Sequence, residues 1–121
     1  MYFPYFRGRQ YELLALKELA TKELISSAIV PIIEPVKIIP ALNNSLSAFQ
    51  DASLPVALVI NPNVGDLTDE PQIINQLLEK YLSPNVIPAI LTNESAEKGL
   101  IELKSKGVDT SEILTILNDP D

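Results

Sequence analysis

Val56-Ala-Leu-Val-Ile-Asn61-Pro62 is an unbroken apolar run that ends in a polar residue beside a proline. The same pattern recurs as Ile29-Val-Pro-Ile-Ile-Glu34-Pro35, as Val86-Ile-Pro-Ala-Ile-Leu-Thr-Asn93 and as Ile113-Leu-Thr-Ile-Leu-Asn118. Runs that are apolar on successive residues, rather than alternating, describe strands covered on both faces, which is the habit of parallel sheets. The polar end residues lie about 30 residues apart, the length of one βα unit. The expected fold class is therefore α/β, with repeated βα units and a parallel sheet. In such folds the C-terminal ends of the strands line the ligand mouth, so Glu34, Asn61, Asn93 and Asn118 mark a candidate site.

Between the runs lie segments with helical periodicity. Leu13, Leu16, Ala20 and Leu24 share one face of a helix expected from Gln10 to about Leu24. Pro40 suits a first helical turn, and Ile39, Leu42, Leu46 and Phe49 recur at three- and four-residue steps. Pro71 opens a helix through Leu82 with Asp69 and Gln72 as a capping box, and Ser95 to Lys106 forms a helix stopped by Gly107. Tyr2 to Phe6 reads as a short aromatic first strand whose rings belong to the core.

Two architectures use this pattern. One is the first half of a (β/α)8 TIM-like barrel, and the alternative is an open doubly wound sheet with helices on both faces. The last strand is followed directly by Asp119-Pro-Asp121 with no helix, which favours the barrel-type reading. Residues 1–121 then form a single α/β domain or the N-terminal fragment of a larger barrel-like domain. A half barrel leaves strand edges and a concave face open, so self-association or a missing C-terminal half is expected to cover them.

Composition excludes several chemistries. The chain has no cysteine and no histidine, which removes thiolate nucleophiles, imidazole bases, disulfides and almost every zinc site. A net charge of −7 argues against a broad nucleic-acid surface. No apolar run approaches the ~20 residues of a membrane span, and the N-terminus lacks the apolar core of a secretory signal, so a soluble cytoplasmic protein is expected. None of the four glycines falls in a dinucleotide fingerprint or phosphate loop, and no cofactor is predicted.

The chain's two arginines stand together in Arg7-Gly8-Arg9, between the first strand and the first helix. Guanidinium groups beside a helix N-terminus make an anion site, unless they are neutralised by neighbours such as Glu12. Glu34 is the one acid that directly ends a core strand, and it is the candidate general base or electrostatic partner. Arg7 and Arg9 are the candidate anion ligands, with Asn61, Asn63 and Asn93 orienting a small anionic ligand. The Asn61, Asn63 and Asp66 oxygens form an Asx-turn loop more readily than a magnesium site, so no metal is predicted. If the first strand pairs in parallel with the second, Arg7 and Glu34 leave the same end of the sheet.

These same residues carry a resemblance. Tyr2-Phe-Pro-Tyr-Phe-Arg7-Gly8-Arg9-Gln10-Tyr-Glu12, Pro31-Ile-Ile-Glu34-Pro35-Val-Lys37 and Val59-Ile-Asn61-Pro62-Asn-Val-Gly65-Asp66 resemble the opening of the uncharacterised bacterial and phage "beta protein" family. The likeness covers the first half of the chain, with the remainder alike only in pattern. Arg7, Gly8, Gln10, Glu34, Pro35, Asn61 and Pro62 match the family's pattern, which adds Gln10 to the ligand-binding candidates. Position 9 is Arg where the family pattern has Lys, a change that keeps the charge and alters the donor geometry. The resemblance implies a longer barrel-like α/β protein with links to phage exclusion or defence, and it implies no particular reaction.

Overall fold

The apolar runs pair side by side and in one direction. The computed structural model describes residues 2–62, 71–81 and 85–116. Its elements are β1 (Tyr5–Arg7), α1 (Gln10–Thr21), β2 (Ile32–Glu34), α2 (Pro40–Asp51), β3 (Val56–Val59), α3 (Pro71–Tyr81), β4 (Val86–Leu91), α4 (Ala96–Ser105) and β5 (Leu114–Ile116). The strands form one parallel sheet in the order β1-β2-β3-β4-β5. A doubly wound sheet reverses its strand order at a switch point, and this order has no reversal. Tyr2 adds only an isolated bridge to Ile29, so β1 starts later than the aromatic run suggests.

Strand residues alternate between two apolar clusters. Ile33, Val56, Leu58, Ile60, Val86 and Ile90 join the buried side chains of all four helices, among them Leu13, Leu46, Ile74 and Leu103. Val30, Ile32, Ala57, Val59, Ala89 and Leu91 form a second cluster that, among the described residues, is built of strand and strand-flanking residues alone. The helices thus share one side of the sheet. Ser45 of α2 is fully buried, and its hydroxyl lies 2.7 Å from the carbonyls of both Leu13 and Ala41, which ties α2 to α1.

Three helices stop in the same way. After α1, α2 and α4 the chain enters the left-handed region at Glu23 (φ 55°), Ser53 (φ 54°) and Gly107 (φ 83°). The next amide in each case, at Leu24, Leu54 or Val108, reaches back to the carbonyl of Leu19, Phe49 or Leu103, the Schellman closure. Only Gly107 announces this in the sequence. Pro88 is the third residue of β4. The carbonyls of Asn85 and Ala89 point to β3, so the nitrogen of Pro88 faces the other way, where pairing with β5 begins only at Ala89. No helix among the described residues is long and apolar enough to cross a membrane.

Candidate functional site at the strand C-terminal ends

Parallel register brings Arg7 and Glu34 opposite each other at the ends of β1 and β2. Side chains two residues apart share a face, so Tyr5 and Arg7, Ile32 and Glu34, and Val59 and Asn61 belong to the side of the sheet away from the helices. Glu34 is 3% exposed, whereas Arg7, Arg9 and Gln10 are exposed. Among the described residues neither arginine lies within ion-pair distance of a carboxylate. Glu12, the acid expected as a neutralising neighbour, instead buries its Oε2 without a hydrogen-bond partner.

The carboxylate of Glu34 meets Tyr5, an aromatic expected in the core that is instead partly exposed. The Tyr5 hydroxyl donates to Glu34 Oε1 at 2.5 Å, while the Tyr5 side chain remains partly open to solvent. Burial of the phenol first, then the hydrogen bond and the charge of Glu34, push the Tyr5 hydroxyl far above the ordinary tyrosine range. The Arg7 guanidinium pulls the other way without prevailing. Tyr5 is therefore a protonated donor at neutral pH. Tyr2 and Phe3 are exposed and Phe6 is only partly buried, because β1 is the outermost strand of the sheet order and has a neighbour on one side.

Gly8 sets how closely the arginine loop approaches Glu34. Its amide donates to the Glu34 carbonyl at 2.8 Å, and a Cβ there would lie 3.3 Å from Pro35 Cα and 3.4 Å from that carbonyl oxygen. A side chain there would push the loop a few tenths of an ångström away from the β2 backbone. Arg9 then takes the N-cap position of α1 in extended conformation, with its carbonyl accepting from the Leu13 amide. Its side chain makes no capping bond, so the guanidinium is not tied to the helix start.

Asn61 and Asn93 form a clamp between β3 and β4. Asn61 Oδ1 accepts from the Leu91 amide at 2.9 Å, and its Nδ2 donates to the Leu91 carbonyl at 2.8 Å and to Asn93 Oδ1 at 2.9 Å. Asn93 Nδ2 returns a bond to the Asn61 carbonyl at 3.2 Å, and Asn93 Oδ1 also accepts from the Ser95 amide and hydroxyl. The Asn61 side chain thereby continues the sheet ladder past the end of β3. Both of its amide protons are engaged, which leaves it a positioning part at the rim.

Asn63, Asp66 and Asn118 lie outside the described residues. Among the described residues no group of three or more Asp or Glu side chains is placed to hold a metal ion. A cleft lined by Lys17, Thr21, Asn44, Ser47 and Asp51 lies between α1 and α2, away from the strand-end residues. No family model matches this chain, and neither does any curated protein or solved structure.

Proposed function

We propose that this chain is the first half of a (β/α)8 barrel-like protein that binds a small anionic group, such as a phosphoester, at its strand C-terminal ends. In this reading Arg7 and Arg9 hold the anion, Gln10 adds a donor at the start of α1, Glu34 is the base or electrostatic partner, and Asn61 and Asn93 fix the rim. The observation that carries it is the register of Arg7 with Glu34 at one end of the sheet, with both guanidinium groups unpaired among the described residues. Sequential strand order and helices packed on one side support the barrel-type architecture. Isothermal titration with inorganic phosphate tests it. Saturable binding that disappears in Arg7→Ala combined with Arg9→Ala is the expected result, and affinity unchanged by both substitutions overturns it.

A second reading is a non-enzymatic interaction module, linked by the family resemblance to phage exclusion or defence. It is favoured by Tyr2 and Phe3, exposed just ahead of the outermost strand of the sheet order, and by Tyr5, exposed within it. An edge strand with exposed aromatics is a template for another chain. Sedimentation equilibrium separates the two readings: concentration-dependent association that is lost on Tyr2→Ser and Phe3→Ser, with no anion binding, favours the module.

A further inference from the structure

Tyr5 changes what the mouth offers to an anion. A phenol has one proton and an oxygen that can also accept. That proton is committed to Glu34 Oε1 at 2.5 Å, and Glu34 is buried behind it. The partly exposed phenol oxygen therefore presents lone pairs, not a donor, to whatever occupies the rim. Arg7 lies two residues along the same face of β1, roughly 6–7 Å farther on, and presents only donors. An incoming group thus meets a cationic donor and a neutral acceptor backed by a buried carboxylate.

We infer, resting on the anion-binding reading above, that this site selects anions that carry their own hydrogen-bond donor, namely hydrogen phosphate or the monoanion of a phosphate monoester, over fully deprotonated oxyanions such as sulfate. The charge on both ligand types suits the guanidinium. Only the protonated anion also has an O–H to give to the Tyr5 oxygen. A sulfate oxygen placed there meets another lone pair and, behind it, the Glu34 charge, and an acceptor facing an acceptor in a partly desolvated site forfeits the bond and adds repulsion. The upward shift of the Tyr5 hydroxyl keeps the arrangement in this polarity at neutral pH, since the phenol does not surrender its proton.

Isothermal titration of the whole chain with inorganic phosphate, methyl phosphate and sulfate reads this directly. Wild type should bind phosphate roughly tenfold or more tightly than sulfate, the worth of one hydrogen bond lost to an unpaired acceptor. Methyl phosphate loses its last proton at about pH 6, so its advantage over sulfate should be present at about pH 5 and lost at about pH 8. Inorganic phosphate keeps its own O–H and its preference across that range, and a methyl phosphate preference that stays unchanged there overturns the proposal. Glu34→Gln can turn its amide N–H toward the phenol oxygen and free the phenol proton for the ligand, so sulfate should gain and the preference should fall to about threefold or less. Tyr5→Phe removes the acceptor altogether and should erase the preference by a separate route, with circular dichroism confirming that each variant folds. Equal binding of phosphate and sulfate to wild type, in a manner that depends on Arg7, overturns the selectivity and leaves the anion site standing. A preference retained in both variants also overturns it. Absence of binding by any of the three anions overturns the anion-site reading itself.

Discussion

Arg7 and Glu34 are register partners across β1 and β2, yet one is exposed and the other buried, and it is Tyr5 that closes on the carboxylate. A direct ion pair in that position would neutralise both groups. With the phenol donating to Oε1, the acid is engaged on the sheet face, and the guanidinium stays exposed at the rim. Parallel pairing of β1 with β2 puts the two groups at the same end of the sheet.

Tyr5→Phe should cost about 1–2 kcal/mol at neutral pH, because it strips a hydrogen bond from a buried carboxylate. The pH dependence has a definite sign. A hydroxyl whose pKa is raised by folding contributes stability in full below about pH 10, the ordinary tyrosine value, and loses it as pH rises beyond that toward the folded value. Urea melts from about pH 8 to pH 11 should therefore show a steeper alkaline loss for wild type than for Tyr5→Phe. Parallel losses would mean that the phenol proton is not held by the fold.

Asn61→Ala removes the acceptor of the Leu91 amide and both bonds from Nδ2 at once. The buried Leu91 amide is left unpaired, while the Leu91 carbonyl keeps the bond from the Asn93 amide, so a loss of roughly 1–3 kcal/mol is expected in denaturant unfolding. Hydrogen exchange at the Leu91 amide should accelerate beyond the global change. An unaltered exchange rate there would show that the side chain does not continue the ladder.

Gly8→Ala forces a Cβ against backbone atoms of Pro35 and Glu34, which cannot swing aside as a side-chain tip would. A destabilisation of about 1–2 kcal/mol follows. Because Arg7 and Arg9 flank the displaced residue, phosphate affinity should fall as well. Full affinity in a folded Gly8→Ala protein would uncouple the loop from the site.

Glu23 and Ser53 occupy left-handed positions that glycine would take without strain. Each change to glycine should raise stability by about 0.5–1 kcal/mol, the steric penalty removed less the entropy added to the unfolded chain. Thermal melts of Glu23→Gly and Ser53→Gly test this, and the reverse change, Gly107→Ala, should lower the melting temperature.

Much of the architecture was legible because parallel strands buried on both faces leave unbroken apolar runs, and Val56 to Asn61 is such a run. The helix faces were readable in the main: Leu13, Leu16 and Ala20, or Ile74, Leu77 and Leu78, lie in the core as their spacing requires, whereas Leu24, expected on the first of these faces, lies past the end of α1 at Thr21 and is exposed. The stops after α1 and α2 were not readable, because Glu23 and Ser53 carry no compositional mark of the left-handed turn that closes each helix. Tyr5 was misassigned for a related reason, since an aromatic in a strand packs inward unless its neighbour across the sheet offers an acceptor, and sequence separation hides that neighbour.

Periodicity and local composition suffice to write down the parallel βα repeat, the polar strand ends and the grouping of both arginines beside a helix start, because all three follow from backbone geometry. Tertiary structure decided which of these residues meet. Register across β1 and β2 set Arg7 against Glu34 and brought the Tyr5 hydroxyl onto the carboxylate, and the β3–β4 pairing turned Asn61 and Asn93 from separate candidates into one clamp. Contacts between residues about 30 positions apart depend on how whole strands align, and no local stretch of chain encodes that alignment.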